Sequence, residues 1–410
     1  MTRPPSLRPS PRLSVLCLGL AALSFVTGWI LVVLAAPEME DFFYQPRVLA
    51  ITHTFTLGWI SLTIIGVLYQ YVPALTKRAV WWRRGPAVQV SLFALGASGM
   101  IVHFWIDHLD GMAWSAGLVL LSAVLLAALL LPSLLRAPRY DATVVGIVAG
   151  LAGLVGTATL GTMYAIDKVH PYLSGSVLSN IAGHAHLGLL GWITVTICAV
   201  SYRMVAAFVL PTELFPRSTR AQMVALVLLA PLLVTALLLR AHDLATVTAL
   251  LVVAAIAWYA VLLWRLLRTR RLPLDWSLAH VLAALLHLAG AALCALLLLV
   301  LVDPESDLGN RVVLTYGVLA LIGWISNFIV GMASRVAPGL LGKGSRPLLS
   351  SGQRGLLFGL LNAGIGAVVA AILSGSALAL RIAATLPLAA ALLFGAALLH
   401  RLGGKDHVGG

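Results

Sequence analysis

Two histidines one residue apart, His184 and His186, lie near the start of an apolar run that continues to Tyr202 and is long enough to cross a bilayer. A third, His53, opens a similar run. An imidazole in hydrocarbon is costly without a partner, so an intramembrane histidine is a functional candidate by default. Neutral imidazole is a common metal ligand and a standard axial ligand of haem iron. Residues two apart on a helix point about 200° apart, so His184 and His186 must address different clefts. His103, just before Asp107, and His287, seven residues after His280, are further candidates. For each of these the competing role is helix packing with a hydrogen bond to a neighbour. The three cysteines, Cys17, Cys198 and Cys294, lie inside apolar runs with no CxxC or CxxCH. That spacing suggests no disulfide framework, zinc ribbon or covalently attached haem.

The elements that must position these side chains are membrane helices. Of 410 residues, 60% are hydrophobic and 10% charged, with mean hydropathy +1.00, whereas a soluble chain carries about 25% charged residues. Twelve spans are expected, at 13–36, 48–75, 86–107, 113–136, 142–166, 177–208, 221–240, 244–265, 276–302, 311–338, 355–375 and 378–400. The run from Leu13 is long enough to span and lacks a small-residue cleavage pattern, so it reads as the first helix rather than a cleaved signal. With the N-terminus inside, 21 of the 27 Lys and Arg residues fall in inside segments, from Arg3 and Arg8 through Lys77, Arg78, Arg83 and Arg84 to Lys343, Arg346, Arg401 and Lys405. Ten of the 14 acidic residues fall outside. Both termini are therefore expected in the cytoplasm, in the cell's inner (plasma) membrane. The net charge of +13 follows from this asymmetry and requires no nucleic acid. Arg203 and Arg335, at inner helix ends, read as interfacial anchors.

The histidine-bearing run is repeated. The stretch from His53, HTFTLGWISLTIIGVLYQYVPA, aligns without gaps with HLGLLGWITVTICAVSYRMVAA from His186, and a third copy, IGWISNFIVGMASRVAPG, starts at Ile322. The shared glycines Gly58, Gly191 and Gly323 are 133 and 132 residues apart, and each step holds four spans. The fold class expected is therefore all-α, polytopic, with twelve transmembrane helices in three pseudo-threefold four-helix arcs. The chain would form a single membrane domain, 1–410, with repeats at about 13–136, 142–265 and 276–400. Trp59, Trp192 and Trp324 recur even where histidine does not, so they read as architecture, and the glycines as sites of close helix approach. By span direction His53, His184, His186 and His103 share a depth one to two turns below the outer surface.

Twelve helices in three arcs, with a histidine on the second helix of an arc, resemble the catalytic subunit of the haem–copper oxidase superfamily. The closest likeness is to the C-type (cbb-type) branch. It rests on Gly183, His184, His186, Leu190, Gly191 and Trp192, and on His53 with Thr54. The resemblance implies low-spin haem ligation by His53 with one histidine of the H-x-H pair, the other serving a second haem. Register pairs His53 with His186, whereas pseudo-threefold geometry places His53 and His184 on one cleft; both pairings stay open. His287 would be available to a second site. The chain departs from the family on the tenth helix, which has Val318 in place of histidine, and on the seventh, which lacks the adjacent His pair that helps bind copper. The expectation is one or two haem b groups, copper being left open, in a protein for electron transfer or handling or sensing of O2 or NO. Its partners would be the lipid bilayer and a redox partner, cytochrome or quinol. An active terminal oxidase or nitric oxide reductase and a haem-free secondary transporter are the alternatives.

Overall fold

A computed structural model describes residues 10–340 and 347–403, Leu340 and 401–403 by backbone alone. Arg3, Arg8, Lys343, Arg346, Lys405 and His407 lie outside the described residues. Twelve helices are long and apolar enough to span a membrane: α1 (Pro11–Leu34), α2 (Pro46–Thr76), α3 (Gly85–Trp105), α4 (Met112–Leu134), α5 (Ala142–Asp167), α6 (Val177–Val209), α7 (Pro216–Leu238), α8 (His242–Arg268), α9 (Trp276–Val300), α10 (Asp307–Gly339), α11 (Ser351–Ser374) and α12 (Ala377–His400). Among the described residues there is no strand. The chain is an all-α, multi-pass membrane protein, because helices satisfy their backbone polar groups internally where no water can.

Three helices start four or five residues earlier than hydropathy alone places them, and local chemistry explains each. Pro216 occupies the first turn of α7, where its fixed φ suits a helix and its missing N–H costs nothing. Ser306 caps α10 by accepting from Gly309 N at 3.0 Å. Ser350 and Gln353 form a reciprocal capping box at α11.

The contacts divide the chain into two compact units. One comprises Tyr69–His103 and His108–Pro273; the other comprises Ser10–Leu68, Phe104–Asp107 and the chain from Leu274 onward. In the first unit α4 packs on α5, α5 on α6, and α7 on α8; in the second α1 packs on α12, α9 on α10, and α11 on α12. The second repeat thus lies within the first unit and the third within the second, while α2 contributes to both.

Equivalent contacts recur in all three repeats. A Cβ on Gly58 would lie 2.6 Å from Ser24 Oγ, one on Gly191's neighbour across the helix pair, Gly153, would collide with the Gly191 backbone, and one on Gly323 would lie 2.6 Å from His287 Cβ. One end further along, Ser14 Oγ donates to Gly66 O at 2.8 Å and Thr143 Oγ1 donates to Ala199 O at 2.9 Å. In the third copy a Cβ on Gly331 would sit 2.7 Å from Ser277 O. Small residues let the first and second helices of each repeat touch backbone to backbone, which is how membrane helices gain packing without a hydrophobic driving force.

The second helix of each repeat is the buried one. In α2, α6 and α10, 72, 72 and 67% of the most apolar window is buried, against 28–44% in the other nine. Each of the three also changes from α to π geometry midway, at Thr54–Ser61, Leu187–Thr194 and Val318–Ser326. Leu62, Val195 and Asn327 donate their N–H groups five residues back, to Leu57, Leu190 and Ile322. Hydroxyls reinforce the wider turn: Thr194 Oγ1 donates to Leu189 O and Ser326 Oγ to Leu321 O, both at 2.7 Å. Such turns are rare and concentrate at functional sites. Here the histidine-free third copy has one too, so the turn belongs to the repeat.

Candidate functional site

His53 and His186 are the last residues before the π segments of α2 and α6. The imidazole Nδ1 of His53 lies 2.8 Å from Leu49 O, and that of His186 lies 2.8 Å from Ala182 O. A backbone carbonyl only accepts, so in both rings Nδ1 carries the hydrogen. In the neutral ring Nε2 is then the nitrogen with the lone pair. Ligating histidines commonly donate their other ring N–H to a carbonyl, which fixes the tautomer and raises ligand basicity. His53 stacks on Phe104, with ring centroids 5.1 Å apart and planes 23° apart.

The two rings also share an environment. His53, His184 and His186 are half-buried, whereas Gly58–Gly66 of α2 and Leu190–Tyr202 of α6 are wholly buried. Each helix therefore packs tightly from midway through its π segment onward and leaves its imidazoles half-buried before it. His184 lies against α5. Its ring meets Tyr164 edge-on at 5.8 Å, and a Cβ on Gly161 would be 3.0 Å from its Cε1. His53 belongs to one compact unit and His184 and His186 to the other.

His103 and His287 are placed differently. His103 closes the turn after α3: Nδ1 lies 2.7 Å from His108 O, and a Cβ on Gly111 would be 2.5 Å from its Nε2. His108 itself is exposed, 3.7 Å from Asp110. His287 joins a polar cluster in the third repeat. Its Nε2 lies 3.1 Å from Asn362 Oδ1, and His280 Nδ1 lies 2.7 Å from Asn327 Oδ1. The two amides bond to each other in both directions at 3.1 Å. Their remaining N–H groups donate to Gly323 O (2.8 Å) and Phe358 O (2.9 Å). Those carbonyl partners fix which amide atom is oxygen, so both histidines must be donors to them. The neutral rings thus hold opposite tautomers, Nδ1–H at His280 and Nε2–H at His287. His280 and Asn327 are buried to 2% and 0% exposure, and His280 Nε2 has no hydrogen-bond partner among the described residues.

Sequence reasoning passed over two further polar sets. Tyr69 Oη donates to Gln89 Oε1 at 2.9 Å, and Gln89 Nε2 donates to Ser122 Oγ at 2.8 Å. In the next repeat Tyr202 Oη donates to Gln222 Oε1 at 2.7 Å, and Gln222 Nε2 donates to Ala255 O at 3.0 Å. Each position advances by the same 133 residues, so extending the repeat alignment beyond the LGWI core was the available signal. The third repeat has Ser334, Arg354 and Pro387 at these positions. Arg203 and Arg335 are more than interfacial anchors. Arg203 Nε donates to Asp141 at 2.9 Å, and Arg335 pairs with Asp275 at 2.8 Å. Both aspartates cap the first helix of their repeat, accepting from Val144 N and Leu278 N at 3.1 Å.

Among the described residues no three His, Cys, Asp or Glu side chains group so as to hold a metal ion. The fixed Nδ1–H tautomers of His53 and His186 do suit an axial role on a haem iron, where each ligand supplies one nitrogen. No protein-family model matches the sequence, and no curated protein matches it. Among solved structures, the chain is similar to one described as the cryo-EM structure of a haem–copper terminal oxidase dimer. The TM-score is 0.67 at 10% sequence identity, covering 96% of this chain and 84% of that one. At that identity the likeness is one of fold, and the chain has a haem–copper oxidase-like fold.

Proposed function

We propose that the protein binds haem b within the membrane, using His53 with His184 or His186 as axial ligands, and works in electron transfer or in handling O2 or NO. The observation that carries this reading is the matched state of His53 and His186. Each precedes a π segment, is half-buried, and has its Nδ1–H committed to the carbonyl four residues back. Bound haem would supply one-electron redox chemistry and, at an open axial position, a site for a diatomic gas. The chain's part is to hold the ring nitrogens in one tautomer and to pack hydrocarbon around them. The H-x-H pair supports a likeness to the C-type branch. His103 and His287 are left out of this ligand set because the nitrogen that keeps the lone pair is packed over, Nε2 of the first by Gly111 and Nδ1 of the second by Gly323. α7 contains no histidine, so no copper-dependent reduction of O2 is assigned. Basic residues in the loops on the side of the termini orient both ends to the cytoplasm.

The test is the visible spectrum of the purified, detergent-solubilised protein. The expected result is a Soret band that shifts on reduction, with a bis-His low-spin signature. His53→Ala should abolish that signature while the protein stays folded, and comparing His184→Ala with His186→Ala assigns the partner. A colourless preparation from haem-replete cells, or three single variants that keep the wild-type spectrum, overturns the proposal.

A further inference from the structure

The loop between α2 and α3 reads Lys77-Arg78-Ala79-Val80-Trp81-Trp82-Arg83-Arg84, four cations around two tryptophans. All four cations are exposed, as are Trp81 (65%) and Trp82 (38%). The loop is tied to its neighbour: Trp81 Nε1 donates to Ala128 O of α4 at 2.9 Å. Just beyond that helix, Arg136 and Arg139 are also exposed. Residues 77–84 and 135–140 contain no acidic side chain, and the first that follows, Asp141, is engaged by Arg203. None of the six cations forms an ion pair among the described residues.

These cations differ from those of the loop after α8. In the last turn of α8 Arg265 lies over Phe215, 5.8 Å from the ring centroid, and just past the helix Arg270 donates to Leu267 O at 2.9 Å. Among the described residues the cations of the α2–α3 loop have no such engagement, and with Arg136 and Arg139 they stand at the ends of three membrane helices. Exposed tryptophans at helix ends settle at headgroup depth. Basic clusters immediately beside membrane helices attract acidic lipids. Exposed indole and unpaired positive charge at one depth fit an amphiphile with an anionic head, and the bilayer supplies one.

We propose that the Lys77–Arg84 loop, with Arg136 and Arg139, is a binding surface for the headgroup of an acidic phospholipid. The phosphate is held by the arginines, and Trp81 and Trp82 lie against the glycerol and upper acyl region. This inference does not depend on haem binding.

The experiment uses the full chain in phosphatidylcholine vesicles doped with equal mole fractions of brominated phosphatidylglycerol or brominated phosphatidylcholine, reading tryptophan quenching. The difference between the native protein and Trp81→Phe/Trp82→Phe isolates the loop's contribution. That contribution should be quenched preferentially by phosphatidylglycerol, and the preference should fall as salt is raised. Arg78→Gln/Arg83→Gln/Arg84→Gln should lower the preference at least tenfold, since each cation near the surface is worth about fivefold. The matching triple Arg→Lys variant should retain it, separating charge from loss of folding. Equal quenching by the two lipids, or a preference that survives the Gln variant, overturns the proposal.

Discussion

The second and third repeats have the same backbone and spend their polar atoms in different places. In the second, His184 and His186 stand before the π segment of α6, and Tyr202 beyond it reaches Gln222. In the third, Val318 takes the register of His186 and Ser334 that of Tyr202, while Asn327 sits just past the π segment at the position of Val195. Asn327 then gathers Asn362, and with it His280 and His287, into one closed cluster. The second repeat holds half-buried imidazoles ahead of its π segment; the third ties its imidazoles to amides. The π turn and the close helix contact are thus a chassis, and polar side chains are placed on it differently repeat by repeat.

The sharpest way to break this contrast is spectroscopic. If only the first two repeats carry ligands, His280→Ala and His287→Ala should leave the haem spectrum intact under conditions where His53→Ala removes it altogether. Loss of the low-spin band in either third-repeat variant would erase the distinction.

The next effect is steric. Gly153→Ala drives a methyl into the Gly191 backbone, where no side chain can yield, so a loss of about 3 kcal/mol is expected. Gly58→Ala, which meets the movable Ser24 side chain, should cost less. Reversible unfolding in mixed micelles compares the two, and equal costs would deny that a contact closed by backbone resists a methyl more than one closed by a side chain.

Asn327→Leu should destabilise by about 2 kcal/mol, because it strands the His280 N–H and one Asn362 N–H in a buried site. The cluster makes a second claim: nitrogen-15 resonances should report Nδ1–H at His280 and Nε2–H at His287. The same tautomer at both would dissolve it. The smallest effect belongs to Tyr202→Phe. It removes one bond to Gln222, and hydrogen bonds between membrane helices average about 0.6 kcal/mol. Tyr69→Phe should match it, and a large difference between them would mean that the first two repeats are less alike than their registers.

Much of this was legible in sequence. Hydropathy located all twelve helices, and the ungapped match of His53 with His186 exposed the repeat. The π segments were not legible, because one widened turn hardly disturbs an apolar stripe that is buried all round. The early starts of α10 and α11 were written in Ser306 and in the Ser350–Gln353 box, signals that hydropathy ignores. Asp141 and Asp275 could be read as caps, but their arginine partners lie 62 and 60 residues on. Asn327 was visible as a lone amide in an apolar run. Its partner Asn362 is on a helix with no counterpart motif, and only the fold brings them together.

The π segments also set a phase. An α-helix turns by about 100° per residue, so the extra residue in a widened turn re-aims everything before it relative to everything after. In α6 the leading end carries His184 and His186, and the trailing end carries Cys198 and Tyr202. The trailing end can keep its tight, glycine-lined docking while the leading end is steered independently, as a coupling lets a shaft change bearing without moving its seat. Val318 opens the π segment of α10, in the register of His53 and His186, where a histidine would add an imidazole to that register ahead of the packing beyond it.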